Sequence, residues 1–274
     1  MTLFIIDQDK CKQDGLCALD CPTGVIHFKG KGHFPEMVAS GDAICIRCGH
    51  CVAICPHGAL DHSDVPLAQC PPIDKELVLS QTQAEQFLRS RRSVRQFKKG
   101  QVDQATLRQL IEIARNAPTG SNAQLVEWIV INDRKTLRNL CGQVIEWMQG
   151  LLKADPESKN MPYLPMLIKG WEAGVDVILR DAPCLVVAMS PRADNNGMVN
   201  LTLALSYLEL AAPVFKLGTC WAGLLQGAIV ANPELKTAVG IPDDYPYHYP
   251  MMIGNAKVRY QRLPVRKAPK IIWK

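Results

Sequence analysis

The 274-residue sequence lacks a basic stretch followed by a long apolar run at its start, MTLFIIDQDK. Such a stretch would mark a secretory leader, so a cytoplasmic setting is expected. There is no GxGxxG fingerprint after a strand, which argues against a tightly held dinucleotide. Charge surplus is small: 31 Lys and Arg against 26 Asp and Glu, a net +5. Bulk charge therefore gives no argument for a nucleic-acid partner. An unbroken greasy run is also missing. The longest, Met198 to Leu217, contains Asn200, Glu209, Pro213 and Lys216. A charge near the middle of such a segment costs about 3 kcal/mol in lipid, so a buried core helix is expected and no membrane partner.

Cysteine, in contrast, is abundant. There are eleven, and seven lie between Cys11 and Cys55. Dense cysteines without a leader point to metal binding, not to disulfides. Residues 1–69 are cysteine-rich and loop-rich. A linker is expected over 70–82, adjoining the proline-bearing stretch Pro66 to Pro72, and a second domain over 83–274. There, Asp103 caps a predicted helix with Leu107, Leu110, Ile111 and Ala114 at helical spacing. Val126 to Ile131 and Cys184 to Met189 read as buried strands, with a helix opening at Asp133 between them. The alternation predicts an α+β fold.

The first 60 residues contain a repeat, DKCKQDGLCALDCPTGVI and AICIRCGHCVAICPHGAL. Two copies of a short motif suggest two copies of one metal site. The second copy runs Cys45, Cys48, Cys51, Cys55, then Pro56. Soft thiolates at these gaps suit iron–sulfur iron, with the cysteine before proline reaching toward the neighbouring cluster. The first copy runs Cys11, Asp14, Cys17, Cys21, then Pro22, with Asp14 in a cysteine position. By crossover, Cys45, Cys48, Cys51 and Cys21 would hold one [4Fe-4S] cluster. Cys11, Cys17 and Cys55 would hold the other. Asp14 would ligate iron through oxygen, leave a [3Fe-4S] cluster, or stand at the surface while another group completes a [4Fe-4S] site. His50, His57 and His62 read as surface or tuning residues near the clusters. The whole motif resembles the dicluster bacterial ferredoxins over about residues 1–65.

Farther on, Arg91, Arg92, Ser93, Val94, Arg95, Gln96 and Phe97 stand in one run. In an extended segment Arg91, Ser93 and Arg95 would share a face and clamp a phosphate. About 20 residues later comes Ala117, Pro118, Thr119, Gly120, Ser121, Asn122, Ala123, Gln124, a loop of small and hydrogen-bonding residues. The order and spacing of these two segments resemble the nitroreductase family. The resemblance implies a three-layer α/β/α sandwich, a homodimer, and FMN at the dimer interface. It implies that Arg91, Arg92, Ser93 and Arg95 hold the FMN phosphate and a ring edge. Pro118, Thr119, Gly120, Asn122 and Gln124 would reach the flavin from the other subunit. Ala222 and Gly223 would present backbone N–H groups to the ring, and Arg266 and Lys267 would add phosphate contacts. Cys70, Cys141, Cys184 and Cys220 read as small buried residues.

Taken together, these readings predict an iron–sulfur flavoprotein oxidoreductase. A low-potential donor protein would reduce the clusters, and FMN would pass electrons to a small acceptor such as a nitro compound, quinone or activated alkene. The alternatives are a reductase driven by NAD(P)H with structural clusters, and a non-enzymatic electron-transfer or redox-sensing protein. No catalytic residue is singled out.

Overall fold

The computed structural model describes residues 3–155 and 162–274. The chain divides into two compact units between Val78 and Leu79, with residues 121–123 grouped with the first.

The first unit is held by short elements. Strand β1 (Phe4–Ile6) precedes helix α1 (Leu16–Leu19), β2 (Ile26–His27), β3 (Glu36–Met37), α2 (Gly41–Ile44), α3 (His50–Ala53) and β4 (Leu60–His62). β1 pairs with β4, and β2 with β3, both antiparallel. The internal repeat is visible in the backbone. Gln13 and Gly15 flank Asp14 with φ of 56° and 73°, while Arg47 and Gly49 flank Cys48 with φ of 53° and 72°. Left-handed residues on either side curl the chain, so that positions 14 and 48 lie in the same kind of turn before a short helix. A side chain at Gly15 would strike the Phe28 ring at 2.6 Å, so glycine is required there twice over. The apolar core is small, built on Phe4, Val25, Ile26, Val52 and Leu60 with the cysteines among them. So small a core is the kind that a metal centre usually reinforces.

The second unit begins with α4 (Gln81–Ser90) and α5 (Gln104–Ala114). Ser80 and Gln83 form a reciprocal cap on α4, and the Asp103 carboxylate caps α5 by accepting from Thr106 N–H. Then follow β5 (Glu127–Ile131), α6 (Arg134–Ala154), α7 (Leu164–Glu172), β6 (Cys184–Ser190), α8 (Gly197–Ala211), β7 (Leu217–Trp221), α9 (Gly223–Ala231), α10 (Pro233–Val239) and β8 (Tyr247–Asn255). The four strands form an antiparallel sheet in the order β5-β6-β8-β7. One face packs on α6, α7, α9 and α10 through residues such as Leu140, Ile145, Leu185 and Leu225. The other packs on α5 and α8 through Leu110, Val186, Leu205 and Met251. Because both faces are covered, β6 is buried along its whole length and reads as a continuous apolar run. The result is the expected α/β/α sandwich.

The greasy stretch is shorter as a helix than expected. α8 ends at Ala211, a 3-10 turn carries Pro213, and Leu217 already belongs to β7. Pro213 has no N–H to continue the ladder, and Lys216 turns the chain with φ 62°. α8 with the turn after it is long and apolar enough to cross a membrane by composition. Its buried face, however, carries Asn200 and Glu209, both bonded to partners within the unit. That makes it a core helix.

Candidate functional site

Two groups of side chains converge within the first unit. Cys21, Cys45, Cys48 and Cys51 line one cavity. Cys11, Asp14, Cys17 and Cys55 line another, together with His57. Each set draws its fourth member from the opposite copy of the repeat. Among the described residues no three ligating side chains meet at a point suited to a single ion. The thiols surround a space instead, the arrangement a polynuclear cluster needs. Burial raises the Cys17 thiol, and it pushes Cys51 up to about 11. Such thiols stay protonated until a metal displaces the proton. Asp14 sits in its cavity with one carboxylate oxygen accepting from Leu16 N–H at 3.2 Å and the other 3.6 Å from His57 Nε2.

His62 is buried and contacts the first set. Its Nδ1 accepts from Asp64 N–H at 3.1 Å, so the ring proton sits on Nε2. That Nε2 faces Cys45 Sγ at 3.8 Å. Burial holds the ring below its ordinary range, which keeps it neutral.

In the second unit, an open cavity of about 430 Å³ is lined by Arg91, Arg92, Lys216, Thr219, Arg259 and Tyr260, among others. Arg91 follows the last residue of α4, and its guanidinium donates to Glu209 Oε1 at 2.8 Å. Trp221 Nε1 donates to the other oxygen of Glu209 at 3.0 Å. Glu209 therefore fixes a cation at the cavity wall. Arg91 and Arg95 do not converge as the alternation predicted. Arg91 is drawn to Glu209 on α8. Extended pairing starts only at Ser93, which bridges Thr219 of β7. Ser93 and Arg95 then face Cys220, which lies on the side of the sheet away from α8. Burial raises the Cys220 thiol, although Arg95 opposes the effect.

The loop after α5 is strained. Ser121, Asn122 and Gln124 have φ of 51°, 54° and 51°. Non-glycine residues avoid this region, and such strain persists only where surrounding contacts impose it. Thr119 Oγ1 accepts from Gln124 N–H, and Gly120 N–H donates to Asn200 Oδ1 at 3.0 Å. Asn200 in turn donates to both oxygens of Asp194, which also accepts from Ser190 Oγ at 2.6 Å. Asn122 departs from the expected grouping with Thr119 and Gly120. Its amide donates to the carbonyls of Ile46 and Arg47, both within the first unit. Pro118 is exposed.

Ala222 precedes α9 without a side-chain cap, leaving first-turn N–H groups from Gly223 onward to meet an acceptor, but the Ala222 N–H departs from its expected role and donates to Pro250 O at 3.0 Å. Gly223 is exposed, and a Cβ there would meet only Tyr249 Oη at 3.6 Å. Arg266 and Lys267 lie on the exposed tail past β8 and do not line the Arg91 cavity. Arg259 and Tyr260 do so instead. Lys257 N–H bonds to Gln96 O and Tyr260 Oη to Ser93 O, which holds this part of the tail against the site. Glu209 was detectable beforehand only as a charge inside an apolar helix.

The sequence profile of the nitroreductase family matches residues 88–255. The chain belongs to the nitroreductase family. Residues 9–60 of this nitroreductase-family protein match the 4Fe-4S dicluster domain. It is thus a nitroreductase-type oxidoreductase with a ferredoxin-like iron–sulfur domain. No curated protein matches it. A nitroreductase with bound FMN from Bacteroides fragilis is similar at 17% identity and a TM-score of 0.57, over 72% of this chain and 100% of that one. A nitroreductase with bound FMN from Desulfitobacterium hafniense gives 17% and 0.56 over the same shares. A BluB-like flavoprotein from Clostridium difficile gives 19% and 0.55, over 69% of this chain and 99% of that one. These likenesses establish the fold of the second unit.

Proposed function

We propose that this protein takes electrons from a low-potential donor into two iron–sulfur clusters and delivers them through FMN to a small organic acceptor. The observation that carries the reading is the pair of cavities, each lined by one complete crossover set. Cys21, Cys45, Cys48 and Cys51 would hold a [4Fe-4S] cluster, and Cys11, Cys17 and Cys55, with Asp14 in the fourth position, would hold the other. When bound, the clusters would supply one-electron transfer and FMN would supply two-electron chemistry toward the acceptor. Nitro compounds, quinones and activated alkenes are the acceptor classes this chemistry admits.

Arg91, Arg92 and Arg259 form the cationic wall for the FMN phosphate, with Glu209 orienting Arg91. Ser93 and Arg95 approach the ring edge, where positive charge favours the reduced flavin. The uncapped N–H groups of the first turn of α9, beginning at Gly223, would face the ring. Asp194 and Asn200 hold the Gly120 backbone. A second copy of the chain covers the apolar residues exposed on α8, among them Met198, Val199 and Tyr207. None of the eleven cysteines forms a disulfide, in keeping with a reducing cytoplasm. Protein prepared without oxygen is expected to hold about eight iron atoms per chain, or about seven if the Asp14 site is a three-iron cluster. It should also hold one FMN. Zinc in place of iron, or no flavin, would overturn the assignment.

Two further outcomes follow from the cluster cavities. Asp14→Cys replaces a hard oxygen with a thiolate, so oxidised protein should lose any three-iron EPR signal and keep iron on exposure to chelator. An unchanged chelator sensitivity would place Asp14 outside the ligand set. His62→Leu removes an N–H aimed at Cys45 Sγ, so the reduction potential of that cluster should move to more negative values. Potentiometry showing no shift would mean that the contact is only packing.

A further inference from the structure

The second unit contains another cavity that the flavin reading leaves unused. It is an open cleft of about 810 Å³, within the size range of small-molecule sites. Its walls carry Arg95, Lys99, Arg134, Arg138, Arg180 and Lys257, and Lys98, which it shares with the Arg91 cavity. Among the described residues none of these cations takes part in an ion pair. Two carboxylates are present. Asp176 is buried and already committed, since it accepts from the N–H groups of Ile178, Leu179 and Asp181. Among the described residues, Asp181 is the only other acid in the walls.

Crowded like charges repel, so an uncompensated cluster needs a reason. The cleft is also built, not merely charged. Arg134 and Arg138 stand one turn apart on α6 and share a face. Arg134 donates to Asp181 O at 3.3 Å, and the Arg138 guanidinium lies 3.6 Å over the Trp171 ring. Arg180 and Asp181 are both left-handed, with φ of 58° and 55°, in a loop that the Asp176 carboxylate holds closed. Strained backbone fixed by a buried carboxylate places the Arg180 side chain on the cleft.

We propose that this cleft binds a small ligand carrying two or more linked phosphate groups. Guanidiniums grip phosphate in bidentate fashion, and the cations here come from four separate stretches of chain, more than a single phosphate would engage. Apart from Arg95, and Lys98, which lines both cavities, none of these residues belongs to the flavin assignment. The ligand therefore binds beside FMN and does not replace it.

Calorimetric titration of the FMN-loaded protein with inorganic pyrophosphate and with ATP tests this. Saturable binding of one equivalent is expected, weakened by added salt, with FMN retained throughout. Arg134→Gln with Arg138→Gln should lower the affinity by about tenfold or more, about 1.4 kcal/mol, with flavin content unchanged. Should that variant fold poorly, Lys99→Gln with Lys257→Gln, both at exposed positions, decides the matter by the same loss. Failure of both probes to bind overturns the proposal. So does binding that the variants leave intact, or pyrophosphate that expels FMN.

Discussion

Replacing Cys48 with serine is expected to remove one cluster, leave FMN in place, and stop electron delivery to the flavin. Cys48 lines the cavity with Cys21, Cys45 and Cys51, and these thiols are spread through two copies of the repeat. A serine hydroxyl is a hard, weakly acidic ligand that holds iron poorly beside three thiolates. Iron should fall by about half, since one of two clusters is lost. The FMN content should hold, because the flavin-binding residues proposed here outside 121–123 lie in the second unit, with its own core. Metal analysis together with flavin absorbance reads both quantities from one sample. A variant that loses FMN in step with iron would mean that the units do not fold independently. A variant that keeps full iron would remove Cys48 from the ligand set.

The second large effect is expected at Asp194. Its carboxylate accepts from Ser190 Oγ and Asn200 Nδ2, both buried, and from Asn196 N–H in a half-buried bond. Asp194→Ala leaves these donors without partners and is expected to cost about 3 kcal/mol. That corresponds to a melting temperature lower by about 10 °C for a unit of this size. Flavin retention should also fall, because Asn200 would no longer be held against Gly120 N–H. The pH dependence has a definite sign. Burial raises the Asp194 carboxyl, but the hydrogen bonds outweigh it and leave it below its ordinary value. A lowered carboxyl contributes stability above the ordinary range, near about 3.9, and that contribution is lost as pH falls through its folded value. The stability gap between the native chain and Asp194→Asn should therefore be constant at neutral pH and shrink in acid. A gap independent of pH down to the acid limb would mean that the carboxylate is not charged in the fold.

The sequence showed some parts of this site and hid others, for a physical reason. The grouping of the cluster residues around two cavities was legible because three of each four stand in one short periodic run. A residue three positions along a tight turn lies beside its neighbour, and the second copy of the motif repeats the lesson. The caps at Asp103 and Asp133 were legible for the same reason, each bonding to an N–H three residues on. Glu209 was not, because its partner Arg91 is 118 residues away and only the packing of α8 beside the sheet joins them. Asn200 meets Gly120 across 80 residues. Arg91 and Arg95 were read as sharing a face because strand alternation was extended back into a residue that belongs to a helix end. The end of α8 was misplaced by composition, since apolar residues continue from the helix through Pro213 into a buried strand.

The central claim is that charge passes from the thiolate-bound clusters to the flavin. Rapid mixing of oxygen-free holoprotein with a low-potential one-electron reductant, followed by absorbance and freeze-quenched EPR, tests it directly. The account predicts that cluster signals develop first and decay as the flavin bleaches, and that the Cys48→Ser protein shows slow flavin bleaching. Flavin reduced at the same rate in both proteins, with cluster signals that persist throughout, would contradict it.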